Sequence, residues 1–259
     1  MMAGMSAADG TTLRVDRLWP DPAQDLELDA AFGDLSPSPM AGRPWVATNM
    51  VTSVDGRAQL NGTAEGLGSR MDRRLMQVYR SAFDAVGSGS GTLMADDFYS
   101  RVAADVAARR QAAGREPQPL ALVVAGARPL PTDRHWFGYE DQRRVVAVGS
   151  TSPHAGKEPL AGVETWVAPT EDPDPAWLLE RLAAAGIGSL LLEGGPTLNS
   201  AFLAAGLLDE LYWTIGPRIL ANDALPMIAP TEIAPVEAKL LSAHRYGEEL
   251  FLRYRLTGA

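Results

Sequence analysis

The sequence predicts an α/β protein with one mixed sheet that is flanked by helices on both faces. Short apolar segments alternate with helical patterns along most of the chain, which is typical of parallel strands joined by helices. The last two apolar segments are instead separated by a hairpin turn at Gly247-Glu248, so part of the sheet is antiparallel. Hydrophobic residues make up 46% of the 259 residues, enough to bury a substantial core.

Composition and capping residues predict the individual elements. Residues 1–42 are rich in Pro, Asp and Ala, and we interpret them as an N-terminal arm that wraps a single domain formed by residues 43–259. Residues 45–51 have strand composition, and Ser69 is the predicted N-cap of a helix that follows it. The other predicted elements are a strand, a glycine-rich loop and a helix start within 84–98, strands within 119–126, 143–149 and 163–168, a helix within 174–186, a strand within 188–195, a helix within 196–206, and strands within 207–220 and 239–256.

Charge and residue usage exclude several classes of function. The net charge of −9 argues against a nucleic-acid partner, which would need a basic surface for its phosphates. The chain has no cysteine, so it has no disulfide, no thiolate metal site and no cysteine nucleophile. No apolar run approaches the roughly 20 residues of a membrane helix, and the N-terminus does not resemble a signal peptide. We therefore expect a cytoplasmic protein with no membrane partner.

The segment LLLEGGPTLNSAFLAAG raises the first functional hypothesis. Glu193 and two glycines separate an apolar strand from a helix with Pro196 in its first turn. The N-terminus of a helix presents free N–H groups and the positive end of the helix dipole, and glycine lets a phosphate approach the backbone closely. Thr197 adds a hydroxyl. The turn suits a pyrophosphate, but a tight connection that binds nothing is an equal alternative, because the G-x-G-x-x-G pattern is absent.

Two further clusters are candidates for chemistry. In VGSGSGTLMADDF, a strand leads through glycines into a helix, where Thr92 and Asp96 lie one turn apart. Asp96 or Asp97 could bind a metal, but no third ligand occurs at a suitable spacing, so we predict no metal site. Ser53–Gly56, with the sequence SVDG, is a turn after a strand and on its own indicates only structure. The three histidines are scattered and no G-x-S-x-G elbow occurs, so a histidine-based triad is not predicted.

Three segments, taken in order, resemble the reductase domain of the riboflavin-biosynthesis deaminase/reductase. They are SVDG, VGSGSGTLMADD and LLLEGGPTLNSAFLAAGLLDEL, and the resemblance spans roughly residues 43 to 256. The opening RPWVATNMVTSVDG resembles its stand-alone pyrimidine reductase branch. The resemblance implies a dihydrofolate-reductase-like fold, a homodimer, and NADPH-dependent reduction of the ribose of a ribosylaminopyrimidine phosphate to ribityl. A chain without cysteine cannot carry the deaminase zinc site, so another protein would deaminate.

The resemblance also implies roles for individual residues. Val51 and Thr52 would lie beside the nicotinamide, and Thr92 and Asp96 would contact the cofactor. Glu193 would face the substrate, first as an orienting group and second as a proton donor. The pyrophosphate turn would be formed by Gly194, Gly195, Pro196, Thr197 and Leu198.

Three arginines complete the implied site. Arg80 and Arg101 would hold the substrate phosphate, because a guanidinium fork donates two hydrogen bonds at once. Arg128, in the loop after the strand LALVVAG, is a candidate for the 2′-phosphate that separates NADPH from NADH. A solvated loop arginine is the alternative for Arg128.

The sequence departs from the pattern on the substrate side. Asn49, assigned to substrate binding, stands where the bifunctional enzymes carry a lysine that touches the pyrimidine. Ala64–Gly68 replaces their Ser-x-Trp-Ile segment. Two alternatives therefore stay open: a reductase of dihydrofolate or another heterocycle, and a non-catalytic NADP-binding protein.

Overall fold

The computed structural model describes residues 13–33, 35–38, 40–96, 99–156, 160 and 162–257. Within these residues one sheet of 11 strands runs through the molecule. The strands are β1 Arg14–Trp19, β2 Ala23–Glu27, β3 Trp45–Thr52, β4 Ala85–Gly89, β5 Leu120–Ala125, β6 Arg144–Val148, β7 Glu164–Val167, β8 Ser189–Leu192, β9 Glu210–Ile215, β10 Glu237–Tyr246 and β11 Glu249–Thr257. The helices are α1 Leu28–Phe32, α2 Arg70–Ala82, α3 Ser90–Asp96, α4 Ala104–Ala112, α5 Pro175–Ala184 and α6 Pro196–Ala204, with a short 3₁₀ turn at His135–Gly138.

The strand order is β2-β1-β10-β11-β9-β3-β8-β4-β5-β6-β7. From β9 to β7 every neighbouring pair is parallel, and from β2 to β9 every pair is antiparallel. The mixed sheet predicted from the alternating elements and the terminal hairpin is therefore confirmed. Strand β9 is the junction between the two halves.

The central strand β8 shows how helices cover both faces. Side chains alternate across a strand, so Leu190 and Leu192 point to one face and Leu191 to the other. The first two pack in a cluster with residues of α5 and α6, whereas Leu191 packs with residues of α2. All three are fully buried. Burial on both faces explains why this strand is a continuous apolar run instead of an alternating one.

Several local predictions are confirmed. The Ser69 side chain accepts a hydrogen bond from the Met71 amide at the start of α2, and Pro196 is the first residue of α6. Gly247, with a positive φ of 59°, lies in the turn between β10 and β11. Helix α3, however, begins directly after β4 without the loop that the glycines indicated.

The N-terminal segment is more than a wrapping arm. Strand β1 pairs with β10, and β2 pairs with β1, so both extend the antiparallel edge of the main sheet. Val15 and Phe32 from this segment are buried in the core cluster beside α2. The described part of residues 1–42 is thus continuous with the sheet of the predicted domain, while residues 1–12 lie outside the described residues.

Candidate active site

A cavity of about 960 Å³ lies at the carboxyl ends of four adjacent parallel strands, β3, β8, β4 and β5. Residues that end or follow each of these strands line it, including Val51, Glu193, Ser90 and Gly126. Open α/β sheets bind ligands at this edge. The volume is at the upper end of the usual range for small-molecule sites, which leaves room for an extended ligand.

Backbone hydrogen bonds bring the two predicted glycine-rich turns together. The Glu193 amide donates to the Gly87 carbonyl at 2.8 Å, and the Gly89 amide donates to the Gly194 carbonyl at 2.8 Å. The end of β4 is therefore fixed against the turn that follows β8. Two segments about 100 residues apart in the sequence form one continuous wall of the cavity.

The predicted pyrophosphate turn, Gly194 to Leu198, lines the cavity together with Thr92. A Cβ atom added at Gly195 would lie 3.3 Å from the Thr92 hydroxyl oxygen, so glycine keeps this contact open. The same wall includes Gly91, where an added Cβ would meet no atom within 4 Å. The turn and Thr92 therefore present backbone and hydroxyl groups to the cavity. Asp96 ends helix α3, but its side chain lies outside the described residues.

Glu193 and Arg80 form a buried, bidentate ion pair in the cavity wall. Arg80 Nε donates to Glu193 Oε1 at 2.7 Å, and Arg80 Nη2 donates to Oε2 at 2.6 Å. The two side chains are 3% and 8% exposed. Arg80 Nη1 donates to the Arg101 carbonyl at 2.9 Å. The main partner of Arg80 is thus Glu193. The resemblance implied that the Arg80 guanidinium would hold the substrate phosphate, but in this structure the guanidinium is already bonded to Glu193 and to the Arg101 carbonyl.

The structure does not bring Arg101 to the cavity. Its guanidinium forms an ion pair with Asp141 and lies 4.9 Å from the ring centroid of Tyr139. Only its backbone carbonyl reaches the Arg80 side chain. The expected pair of phosphate-binding arginines is therefore not assembled, because each guanidinium already has an acidic partner.

Three residues of β3 were assigned to the site, and two of them line the cavity, Asn49 and Val51. Thr52 is fully buried instead. Its hydroxyl donates to the Ser53 carbonyl at 2.9 Å and accepts from Trp213 Nε1 at 2.8 Å. These two hydrogen bonds hold the Thr52 hydroxyl inside the protein, so Thr52 does not line the cavity beside Val51 as the resemblance implied.

Arg128 lines the far end of the cavity with Gly126 and Asp172. A Cβ atom at Gly126 would lie 2.0 Å from the Asp172 carboxylate, so the loops after β5 and β7 touch. Arg128 therefore lines the cavity, and its contact with a 2′-phosphate stays a prediction. Sequence reasoning did not identify Asp172, which has no distinctive local motif.

The SVDG turn is bonded to the loop that follows β9, and Leu225 of that loop lines the cavity. The Asp55 carboxylate accepts hydrogen bonds from the Ser53 hydroxyl at 2.7 Å and from the Leu220 and Ala221 amides at 3.0 and 2.9 Å. These bonds, the one from Ser53 first, hold the pKa of Asp55 well below its usual value. The Ala58 amide also donates to the carbonyl of Leu225, whose side chain lines the cavity. The motif is structural, as its isolated pattern indicated.

Some lining residues were missed by sequence reasoning, namely Met50, Gln59, Asp72, Met76 and Tyr99. Of these residues only Asp72 had a recognisable sequence signal, because it stands three residues after the N-cap Ser69, the spacing of a capping box. Among the described residues, no group of three or more His, Cys, Asp or Glu side chains is placed to hold a metal ion.

The fold and the site define a class: an α/β protein with an elongated cavity across the carboxyl ends of adjacent parallel strands. Family comparison is more specific. The chain belongs to the RibD C-terminal domain family, whose model matches residues 44–252. The resemblance that the sequence motifs indicated is thereby confirmed.

Individual relatives agree with this family. The chain is 31% identical over 222 residues to the 2,5-diamino-6-ribosylamino-4(3H)-pyrimidinone 5′-phosphate reductase of Methanothermobacter thermautotrophicus, covering 83% of this chain and 100% of the relative. It is 29% identical over 209 residues to the protein of the same name from Archaeoglobus fulgidus, covering 80% of this chain and 95% of the relative. These relatives are reductases, and membership of their family implies a nicotinamide cofactor.

Solved structures share the fold. A pyrimidine reductase-like protein from Corynebacterium diphtheriae superposes with a TM-score of 0.73 at 22% identity, covering 83% of this chain and 93% of that one. RibD from Acinetobacter baumannii superposes with a TM-score of 0.70 at 25% identity, covering 84% of this chain and 59% of that one. The predicted α/β fold class is confirmed.

Proposed function

We propose that this protein is an NADPH-dependent reductase of riboflavin biosynthesis that converts the ribose of a ribosylaminopyrimidine 5′-phosphate into a ribityl chain. The observation that carries the proposal is the elongated cavity across β3, β8, β4 and β5. Neighbouring strands are about 4.8 Å apart, so these four strand ends span roughly 14 Å. That span suits a dinucleotide laid along the sheet edge.

The lining residues fit the parts of such a cofactor in order. Val51 at the end of β3 would contact the nicotinamide, which supplies a hydride when bound. The turn from Gly194 to Leu198, with Thr92 opposite, would hold the pyrophosphate on backbone N–H groups. Arg128, after β5, would reach the adenosine end. Glu193 and Asn49 line the nicotinamide end of the cavity and would orient the substrate.

The names of the archaeal relatives supply the substrate class. Their substrate carries a 2-amino group on the pyrimidine, whereas a deaminated substrate would carry an oxygen there. The direct test incubates the pure protein with NADPH and each of the two pyrimidine phosphates, and follows absorbance of the reduced cofactor and the mass of the product. Oxidation of NADPH with dihydrofolate alone would overturn the proposal. Cofactor binding without turnover of any of these substrates would favour the non-catalytic alternative.

Gly195→Val is expected to weaken cofactor binding at least about tenfold, or roughly 1.4 kcal/mol. The backbone at Gly195 has φ −77° and ψ 179°, which any residue adopts, so the fold should survive. The new side chain would crowd the Thr92 hydroxyl and occupy space proposed for the pyrophosphate. Titration of cofactor fluorescence measures the affinity. Gly138→Val is the control, because a Cβ there meets no atom within 4 Å; equal affinities in both variants would remove the turn from the cofactor site.

Arg128→Ala is expected to weaken NADPH binding and leave NADH binding nearly unchanged. The loss of a hydrogen bond to a charged group corresponds to about 1.5–3 kcal/mol. Binding titrations with both cofactors measure the difference, with Arg109→Ala as the control, since Arg109 is an exposed arginine on α4. Equal losses for NADPH and NADH would show that Arg128 does not read the 2′-phosphate.

We further propose a cytoplasmic homodimer in which residues 43–259 form the reductase domain. In the described part of the chain, no helix is long and apolar enough to cross a membrane. Sedimentation equilibrium of the pure protein tests the dimer, and a monomer at micromolar concentration would contradict it.

A further inference from the structure

Asp72 lines the same cavity as Glu193 and Val51. It is the third residue of α2, and the loop before the helix packs directly on it, since a Cβ at Gly68 would lie 2.3 Å from Asp72 Oδ2. The Thr214 side chain lies beside its carboxyl group and lowers the pKa of Asp72. Thr214 is the partner of Val51 in the pairing of β9 with β3. Asp72 therefore lies at the nicotinamide end of the proposed cofactor site.

A structural explanation for Asp72 would be helix capping. Ser69-x-x-Asp72 has the pattern of a capping box, in which the carboxylate of the fourth residue accepts a hydrogen bond from the N-cap amide. Here the Ser69 amide donates to Glu249 Oε1 at 3.0 Å, and the Ser69 hydroxyl donates to Glu249 Oε2. A carboxylate from β11 thus takes the capping role. Asp72 is left with its carboxyl group at the cavity wall.

The surroundings of Asp72 favour a carboxyl group that gains and loses a proton near neutral pH. Burial raises the pKa of Asp72 to about 6; the negative charges of Glu249 and Glu193 raise it as well, and the Thr214 side chain and Arg73 lower it. These groups come from β11, the turn after β8, β9 and α2, the elements around the side chain. In the described residues Asp72 forms no ion pair with an arginine or lysine.

Glu193, the other acid at this end of the cavity, is the counter-ion of a buried arginine. Both of its carboxylate oxygens accept hydrogen bonds from Arg80. A carboxylate held in this way can orient a ligand through its remaining lone pairs. Proton donation therefore requires a different group.

We propose that Asp72 donates the proton that completes reduction of the substrate's C=O or C=N bond, an inference that rests on the proposed reductase function. When bound, the reduced nicotinamide cofactor would supply the hydride that the substrate carbon gains, and would itself be oxidised. The π electron pair moves to the heteroatom, which takes the proton from the Asp72 carboxyl oxygen. The resulting carboxylate regains a proton from water before the next turnover.

Asp72→Asn keeps the shape of the side chain and removes the acidic proton. We expect kcat to fall by about 10²-fold or more, with cofactor affinity within about twofold of the wild type. In the wild type kcat/KM should decrease as pH rises through about 6, because the protonated form is the active one, and this dependence should be absent in Asp72→Asn. Asp105→Asn, the same change in the first turn of α4, should alter neither rate nor pH profile, and Asp72→Glu should restore part of the rate.

Infrared spectroscopy of the wild-type protein follows protonation of the aspartate carboxyl groups directly. This measurement needs no substrate, and it can be made even if Asp72→Asn does not fold. In protein labelled with ¹³C at aspartate carboxyl groups, we expect one carboxyl band to titrate near pH 6, and to be absent from Asp72→Asn if that variant folds. The absence of any such titration would overturn the proposal. Wild-type turnover with an unchanged rate and pH profile in Asp72→Asn would also overturn it and leave the reductase function standing. No turnover by the wild type would overturn the reductase function and this inference together.

Discussion

Glu210→Ala is expected to destabilise the protein by about 3 kcal/mol, the lower end of the cost of breaking a buried ion pair, because Glu210 is buried while the side chains of Arg253 and Arg255 are 18% and 41% exposed. Glu210 is completely buried in β9, the strand that joins the two halves of the sheet. Arg253 Nε donates to its Oε2 at 2.8 Å, and Arg255 Nη2 donates to its Oε1 at 3.0 Å. Without the carboxylate, two neighbouring arginines on β11 lose their shared counter-charge. Urea unfolding and the melting temperature, expected to fall by roughly 10 °C, measure the effect.

A second glutamate provides a matched control. Glu164 accepts two hydrogen bonds from Arg143, at 2.7 and 3.2 Å, the same bidentate geometry in which Glu210 accepts two from Arg253, at 2.8 and 3.2 Å. Both side chains are nearly half exposed, so solvent screens the pair and Glu164→Ala should cost at most about 1 kcal/mol. If Glu210→Ala costs no more than Glu164→Ala, burial does not set the contribution of the Glu210 cluster.

The parts of the fold that the sequence predicts best are those with strong local patterns. Leu190–Leu192 is an apolar run between two glycine-containing segments, and the structure buries it on both faces. Strand β1 was missed because Val15 is its only fully buried side chain, so no alternation marks it. Helix α4 was missed because Ala103 precedes it without a side-chain cap. Edge strands and uncapped helices depend on tertiary contacts that no short window contains.

The residues of the site likewise differ in how well the sequence predicts them. The glycine-rich turn after Glu193 has a local signature, since its chemistry depends on consecutive residues. The partner of Glu193 has none: Arg80 lies 113 residues away in the sequence, so the ion pair exists only once α2 packs against the end of β8. Asp72 is similar. Its carboxyl group does not cap α2 because Glu249, on the last strand, accepts the hydrogen bond from the Ser69 amide instead. A resemblance can place such residues near a ligand, but it does not show which charges neutralise one another.

The Glu193–Arg80 pair itself predicts two separable effects. Glu193→Gln should leave the Arg80 charge buried without a counter-ion, and the protein should lose stability by about 3–5 kcal/mol. It should also lower kcat/KM about 10- to 150-fold, equivalent to the 1.5–3 kcal/mol of a hydrogen bond to a charged group. NADPH binding should persist, because the backbone of the adjacent turn is unchanged. Thermal unfolding, cofactor titration and steady-state kinetics measure the three quantities.

A double variant distinguishes an orienting role from a purely structural one. Glu193→Gln combined with Arg80→Gln removes both charges and leaves two amides that can hydrogen-bond, so much of the lost stability should return. If Glu193 orients the substrate, kcat/KM should stay low in the double variant, since the carboxylate is still missing. If Glu193 only stabilises the start of α6, its contribution through the helix dipole is about 0.3–1 kcal/mol, and the double variant should regain the wild-type kcat/KM. Recovery of activity together with stability would therefore remove Glu193 from the substrate site.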